Sequence, residues 1–231
     1  MEGLLLVDKP AGWTSFDVVK YVRGLVARAS SKPHRKIKVG HTGTLDPFAT
    51  GLLILLIGKT YTSRSEQMLK QDKSYQAIME FGHTSSTGDP EGKLTESNPN
   101  SLHPETDELL KALASFKGNI LQTPPAFSAI KVNGVRSYKL ARQNQEVELN
   151  AREVNVKTLE LISYNYPQAE IRTTVSSGTY IRSLVQDIGL SLGVGAYTKE
   201  LRRLSIGSYS IDYAKQIEQI NEQTIGSFLI T

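Results

Sequence analysis

Residues 50–57 read Thr-Gly-Leu-Leu-Ile-Leu-Leu-Ile and are followed by Gly58. The six side chains from Leu52 to Ile57 are all aliphatic, without alternation of apolar and polar positions, and a glycine borders the run at each end. A continuous apolar run of this length between glycines is typical of a strand that is buried on both faces. The stretch therefore predicts a central piece of β-structure with other elements packed on both sides.

Weaker but regular patterns on either side of this run predict the remaining elements. Val18, Val22 and Leu25 recur at helical spacing after Thr14, and Asp17 follows Thr14 by three residues, as in a capping box. Apolar periodicity also predicts a strand at 3–7, a half-buried strand at 75–81, a helix at 106–116, strands around 154–161 and 171–175, and a helix at 180–192. Because these elements lack a regular βαβ spacing, we expect an α+β fold.

The composition excludes several classes of protein. The chain has 231 residues and no cysteine, so it forms no disulfides, thiolate metal sites or thiol nucleophiles. Its longest apolar runs are far shorter than a membrane span, and the N-terminal run lacks the basic leader of a signal peptide. We therefore expect a soluble, cytoplasmic protein with no membrane partner. We expect one domain over residues 1–231, with an inserted basic segment at about 123–150.

Two stretches of the chain contain several basic residues and no acid. The first stretch contributes Lys20, Arg23, Arg28, Lys32, Arg35, Lys36 and Lys38. The second contributes Lys117, Lys131, Arg136, Lys139 and Arg142. Segregated positive charge in a chain of pI about 9.1 favours a polyanionic partner such as nucleic acid, although solvated loop and helix faces would give the same pattern.

A glycine-punctuated loop precedes the apolar run and contains a single acid. Residues 39–51 read Val-Gly-His-Thr-Gly-Thr-Leu-Asp-Pro-Phe-Ala-Thr-Gly, with the acid at Asp46. One interpretation is an Asp-Pro turn between two strands. The other is a catalytic carboxylate fixed on a tight loop, with Gly43 and Gly51 admitting the backbone of a substrate. The four histidines share no metal-ligand spacing, so we expect no catalytic metal.

The loop resembles the catalytic motif of the TruB family of tRNA pseudouridine-55 synthases. The resemblance covers nearly the whole chain, in family order. Its other blocks are Leu6-Val7-Asp8-Lys9-Pro10, Lys73-Ser74-Tyr75, the run from Thr123-Pro124-Pro125 to Lys131, Gly178-Thr179-Tyr180-Ile181-Arg182 and Leu201-Arg202-Arg203-Leu204. Each block alone would be weak, but their order makes the resemblance specific.

The resemblance implies a pseudouridine synthase fold with a mixed, mostly antiparallel sheet flanked by helices. It also implies an isomerase that cleaves the C1′–N1 bond of a T-loop uridine and rejoins the base through C5, without metal or cofactor. The essential aspartate of the family falls on Asp46, and the arginine that pairs with it falls on Arg182. Asp46 would attack C1′, add to the base or abstract a ribose proton, and the sequence leaves these three alternatives open.

Further residues acquire binding roles from the same resemblance. Tyr75 matches the tyrosine that stacks on the target uracil, and Tyr180 and Leu201 would line the uridine pocket. His41 corresponds to a histidine that contacts the rearranged loop after base extrusion. The RNA-clamping insertion of the family falls on residues 123–150. The cations expected to hold phosphates there are Lys131, Arg136, Lys139 and Arg142.

Three alternatives to a stand-alone tRNA synthase remain open at this stage. A non-catalytic chaperone of the tRNA elbow would use the same surface, and a synthase could act on other structured RNA. A guided synthase of the dyskerin type shares the motif but works inside an RNA–protein particle. Because many family members carry a further RNA-binding PUA domain that we do not find in the sequence, we expect recognition through the T arm. The family also suggests a monomer.

Overall fold

The computed structural model describes residues 1–31, 33, 36–97, 103–132, 134–143, 145 and 147–231, so Lys32 and Arg35 of the first basic stretch lie outside the described residues. The helices in these ranges are α1 (Ser15–Ala29), α2 (Lys59–Thr62), α3 (Ser65–Leu69), α4 (Thr106–Ser115), α5 (Ser137–Ala141) and α6 (Ile181–Ser191). The strands are β1 (Gly3–Lys9), β2 (Val39–His41), β3 (Thr50–Ile57), β4 (Lys73–Phe81), β5 (His83–Ser85), β6 (Leu94–Glu96), β7 (Gly118–Gln122), β8 (Lys131–Val132), β9 (Val135–Arg136), β10 (Arg152–Asn165), β11 (Gln168–Val175), β12 (Ala196–Ile206), β13 (Tyr209–Ser210) and β14 (Lys215–Gln216).

The chain divides into two compact units. The first unit contains Met1–Tyr75 and Leu201–Thr231, and the second contains the continuous stretch Gln76–Glu200. Strands β4 and β12 each begin in one unit and end in the other. The expectation of a single catalytic domain with an insertion stays a prediction.

In the first unit, β3 is an inner strand of a mixed sheet in the order β14-β1-β3-β12. It runs antiparallel to β1 and to β2, and parallel to β12. The outer edge of β1 pairs in parallel with β14, and Leu4 exchanges backbone hydrogen bonds of 2.9 Å with Ile230. Leu53, Leu55 and Ile57 contribute to one apolar cluster, and the alternate residues of β3 contribute to another. The prediction of a strand buried on both faces is confirmed.

Helix α1 covers one face of this sheet. Its N-cap Thr14 accepts a hydrogen bond from the Asp17 N–H, and the Asp17 carboxylate accepts the Thr14 N–H in return, which completes the predicted capping box. Val18, Val22 and Leu25 lie in the same apolar cluster as the odd-numbered residues of β3. Each fully buried aliphatic side chain contributes roughly 1.5–3 kcal/mol to folding, so the stripe read from the sequence holds α1 on the sheet.

The second unit contains strands in the order β4-β11-β10-β7 and two separate hairpins, β5–β6 and β8–β9. Strand β10 runs antiparallel to both β11 and β7. Helices α4 and α6 bury their apolar stripes, with Leu109 and Leu113 in α4 and Leu184 and Ile188 in α6. Together with the sheet of the first unit, these strands and helices confirm the expected α+β class and the mixed, mostly antiparallel pairing of the strands.

Among the described residues, no helix is long and apolar enough to cross a membrane. The main element that the sequence analysis missed is β12, which spans eleven residues. Its sequence, Ala-Tyr-Thr-Lys-Glu-Leu-Arg-Arg-Leu-Ser-Ile, interrupts the apolar alternation with adjacent charges. Arg203 is nevertheless fully buried in this strand, so tertiary contacts overrode the local pattern.

Candidate active site

The loop that carries Asp46 is held by side chains from two neighbouring elements of the first unit. The Ser15 hydroxyl accepts a hydrogen bond from the Leu45 N–H at 2.8 Å and donates to the Leu45 carbonyl at 3.1 Å. Lys9, at the end of β1, is fully buried and donates its ammonium group to the Pro47 carbonyl at 3.3 Å. Both neighbours of Asp46 are therefore anchored, while Asp46 itself is half-buried. A catalytic carboxylate needs this kind of rigid support.

A third anchor comes from Arg203 of β12. Its guanidinium donates to the Gly43 carbonyl at 3.1 Å and to the Leu52 carbonyl at 2.7 Å, so it joins the start of the loop to the following strand. The Gly43 backbone has φ of +138°, a region that side-chain-bearing residues rarely adopt. Glycine is required there for the loop conformation.

The expectation that Gly51 admits the backbone of a substrate is wrong. A Cβ atom at Gly51 would lie 2.3 Å from the carbonyl oxygen of Arg203, its partner in the parallel β3–β12 pair. The space beside Gly51 is thus filled by a strand of the protein itself. A Cβ atom at Gly43 would make an ordinary van der Waals contact with the Lys73 side chain at 3.4 Å, so the expectation for Gly43 stays a prediction. Gly51 permits close internal packing.

Lys73 is a buried cation beside this loop. Its ammonium group donates to the carbonyls of Leu69 at 3.0 Å and Gln71 at 2.7 Å. The pKa of Lys73 is lowered from 10.5 to about 8, chiefly by burial and also by the nearby positive charge of Arg203, against the opposing effect of Asp72. Lys73 therefore changes charge close to physiological pH.

We expect the titration of Lys73 to appear in the stability of the protein. Between pH 8 and pH 10.5 the unfolded chain binds more protons at this residue than the folded chain, so the free energy of unfolding rises with pH in that window. Relative to Lys73→Met, the wild-type protein should gain about 2 kcal/mol between pH 7.5 and pH 10. Urea unfolding of both proteins across this range measures the difference.

The matched control for this measurement is Lys70→Met, which removes an exposed lysine three residues earlier. Its stability should follow that of the wild type at every pH. Parallel curves for Lys73→Met and the wild type would contradict the depressed pKa.

The other predicted residues of the first unit lie on three different strands. His41 ends β2 and accepts a hydrogen bond from the Gly43 N–H at its Nδ1 atom, at 3.2 Å. Tyr75 of β4 and Leu201 of β12 are both 7% exposed. Tyr75 belongs to the buried face of the predicted half-buried strand, whose alternation is confirmed. The roles of His41, Tyr75 and Leu201 toward a uridine stay predictions.

In the second unit, Arg182 is buried at the start of α6 and forms an ion pair with Asp89. Its Nη1 atom lies 3.1 Å from the Asp89 carboxylate and donates to the Thr87 carbonyl at 2.6 Å. Its Nη2 atom donates to the Phe127 carbonyl at 2.8 Å. Arg182 is only 3% exposed, although its position in an amphipathic helix would also fit an exposed arginine. The ion pair of Arg182 with Asp46 stays a prediction.

Sequence reasoning missed Asp89. This residue is 3% exposed, and its carboxylate also accepts hydrogen bonds from the Thr87 hydroxyl at 2.5 Å and the Glu91 N–H at 3.1 Å. In the sequence it reads as the first acid of a polar stretch, and the acids that follow it up to Glu108 are exposed. Only the tertiary partner distinguishes Asp89 from them, so no local pattern could have found it.

Tyr180 stands directly before α6 and is half-buried. The guanidinium of Arg152, in β10, lies 5.3 Å from the centre of the Tyr180 ring and donates to the Gly178 carbonyl at 2.6 Å. This cation–π contact fixes one face of the ring. The sequence analysis did not single out Arg152, because its partners lie 26 and 28 residues further along the chain.

The predicted insertion, residues 123–150, includes the β8–β9 hairpin followed by α5. Lys131 and Arg136 stand directly opposite each other in the hairpin, and both are exposed. Like charges at opposite positions destabilise a strand pair. Lys139 and Arg142 are exposed as well. This arrangement keeps four cations accessible to a polyanion at some expense of hairpin stability.

Within the part of the chain that the structure describes, no cluster of histidine, aspartate or glutamate side chains could hold a metal ion. The chemistry available at the described residues consists of a half-buried carboxylate on a fixed loop, a buried arginine and accessible cations.

The fold is that of pseudouridine synthases. The chain is similar to a chain in the crystal structure of a Cbf5-Nop10-Gar1 complex, with a TM-score of 0.69 and 27% identity over 94% of this chain and 52% of that one. A chain in the structure of an H/ACA RNP bound to a substrate RNA containing 2′-deoxyuridine gives a TM-score of 0.65 and 26% identity, over 94% and 51% of the two chains. The protein thus spans about half the length of each of these chains.

Sequence comparison identifies the family to which the chain belongs within this class of proteins. The family model for the N-terminal domain of TruB family pseudouridylate synthase matches residues 31–181, and that for the tRNA pseudouridylate synthase B C-terminal domain matches 182–226. The tRNA pseudouridine synthase B of Aquifex aeolicus is 46% identical over 95% of this chain and 73% of its own, and that of Clostridium acetobutylicum is 41% identical over 100% and 76%. The chain belongs to the TruB family of pseudouridylate synthases.

Proposed function

We propose that this protein converts the uridine at position 55, in the T loop of tRNA, to pseudouridine. The observation that carries the proposal is the similarity to proteins named tRNA pseudouridine synthase B, at 41–46% identity over at least 91% of this chain. The reaction breaks the C1′–N1 bond and forms a C1′–C5 bond, and the proton leaves C5 as N1 gains one. We further propose that the protein is a monomer and that it acts in the cytoplasm, on the T arm of tRNA.

We assign the central chemical role to Asp46. Attack on C1′, addition to the base and abstraction of a ribose proton all require its carboxylate in the ionised form. The anchors at Ser15, Lys9 and Arg203 support this role, because a fixed carboxylate loses little entropy on reaching the reactive geometry. Tyr75 and Arg182 complete the catalytic assignment, which rests on the family motifs.

The target base is inside a folded loop and has to be extruded, at an expense of a few kcal/mol. Stacking on an aromatic ring returns about 1–3 kcal/mol per base, which is the role we assign to Tyr75. We expect the extruded base to be surrounded by Tyr180, His41 and Leu201. We expect the exposed cations of the insertion to bind the phosphates of the T arm. The like charges of Lys131 and Arg136 repel each other in the free protein, and a bound polyanion would relieve this repulsion.

The test is tritium release from an unmodified tRNA transcript labelled at uracil C5, incubated with the protein alone. Isomerisation at the target transfers this tritium to water. A transcript whose T-loop uridine is replaced serves as the control for the site. Release that requires this uridine supports the proposal, whereas tight binding without release would favour the chaperone function.

We expect the affinity for tRNA to fall steeply with salt, because cations that neutralise phosphates displace condensed counterions. The double variant Lys131→Gln/Arg136→Gln should lower the slope of log affinity against log salt by about two. Filter binding between 50 and 300 mM salt measures this slope.

The matched control removes two exposed lysines of the second unit outside the insertion, as Lys93→Gln/Lys111→Gln. It changes the net charge equally and should keep the wild-type slope. Equal slopes for the two double variants would show that the hairpin cations do not contact phosphate.

A further inference from the structure

The first turn of α6 has a capping requirement that its own sequence does not meet. The residue at the N-cap is Tyr180, which has no short polar side chain, and no side-chain hydrogen bond from this position caps the helix. The first amide groups of a helix lack intrahelical acceptors and need partners from elsewhere. Because Tyr180 and Arg182 both lie at this turn, its capping fixes the backbone from which these two side chains extend.

Gln122, at the end of β7, hydrogen-bonds to the backbone of the N-cap residue. Its Oε1 atom accepts a hydrogen bond from the Tyr180 N–H at 2.8 Å, and its Nε2 atom donates to the Tyr180 carbonyl at 3.0 Å. Gln122 is 1% exposed, so both bonds form away from competing water. A side-chain amide that pairs with both backbone groups of one residue fixes the position and the rotation of that peptide segment.

The chain directly after Gln122 makes two more contacts with the same helical turn. The Ser183 hydroxyl donates to the Thr123 carbonyl at 3.0 Å, and the Arg182 guanidinium donates to the Phe127 carbonyl at 2.8 Å. These acceptors are in the first residues of the basic insertion. The start of α6 is therefore tied to the point at which the insertion leaves the sheet.

We propose that Gln122 is a positioning residue for catalysis, which holds Tyr180 and Arg182 in their working orientation through its two hydrogen bonds to the Tyr180 backbone. This inference rests on the proposed function. Gln122 itself does not contact the reacting atoms. Its loss should therefore reduce the turnover rate more than the affinity for tRNA, because the RNA-binding cations remain in place.

The test is Gln122→Met, which keeps the side-chain length and removes both hydrogen bonds. We expect kcat for tritium release to fall about tenfold to a hundredfold, since small misplacements of catalytic groups have effects of this size, with KM for tRNA within twofold of wild type. Hydrogen exchange should accelerate at the Tyr180 amide and stay unchanged at Ile188, two turns along the helix. Thermal unfolding verifies that the variant is folded at the assay temperature.

The matched control is Gln168→Met, which removes an exposed amide that donates to Glu80 at 3.1 Å in the same unit. It should retain wild-type kcat and KM. An unchanged kcat in folded Gln122→Met would overturn the inference, as would equal losses in kcat and in the folded fraction, which would assign Gln122 to stability alone. Absence of tritium release by the wild-type protein would instead refute the proposed function, and the inference with it.

Discussion

Replacement of Asp46 by asparagine should reduce pseudouridine formation to below about one thousandth of the wild-type rate, the range seen when a central catalytic group is removed. Asparagine matches aspartate in shape, so the anchors on Leu45 and Pro47 should remain in place. It cannot supply the negative charge that all three chemical roles of Asp46 require. Tritium release under single-turnover conditions measures the loss, and filter binding should give an affinity for tRNA within about twofold of wild type.

The matched control for this variant is Asp212→Asn, which makes the same change at an exposed residue of the first unit. It should retain full activity. A folded Asp46→Asn protein that still releases tritium at the wild-type rate would exclude Asp46 as the catalytic group. A folded variant that no longer binds tRNA would show that Asp46 acts in binding.

Replacement of Asp89 by alanine should lower the free energy of unfolding by about 3–5 kcal/mol, because it removes a buried carboxylate that pairs with the buried guanidinium of Arg182. The Thr87 hydroxyl and the Glu91 amide lose an acceptor as well. Activity should fall by at least tenfold even where the protein is folded, since Arg182 then loses one of the contacts that orient its guanidinium. Urea unfolding and tritium release at low temperature measure the two effects.

The comparison for Asp89→Ala is Glu222→Ala, which breaks the exposed ion pair between Arg28 and Glu222. Exposed pairs contribute about 0–1 kcal/mol, so this variant should be nearly as stable as the wild type. Similar stabilities for the two alanine variants would mean that the Arg182–Asp89 pair contributes little to the fold.

Strong local patterns predicted the fold where one element provides its own signal. The unbroken apolar run of β3, the capping box of α1 and the apolar stripe of α6 all identify their elements without reference to the rest of the chain. Strand β12 lacked such a signal, because its arginines are stabilised by contacts with distant residues. Arg203 reaches the carbonyls of Gly43 and Leu52, about 150 residues earlier in the chain.

The difference between local sequence patterns and contacts with distant residues also applies to the candidate site. Asp46 stands out in the sequence because it is the only acid in a glycine-rich loop. The supporting residues Asp89, Gln122 and Arg152 have no local motif, and each acts through a partner 26 to 93 residues away. Sequence alone therefore indicates the groups that would perform chemistry, whereas the groups that would orient them become visible only in the folded protein.

Residues 201–231 complete the first unit, and this has a consequence for synthesis on the ribosome. Strands β1 and β3 are translated early, but the partners of β1 at Lys215, Gln216 and Ile230 and the partner strand β12 emerge only at the end. At a translation rate of about 5–20 residues per second, β1 and β3 are without these partners for roughly 10–30 s. The continuous second unit has by then been completely translated. We therefore expect the second unit to fold before the first unit during synthesis, and β1 and β3 to need protection from aggregation until β12 and β14 are available.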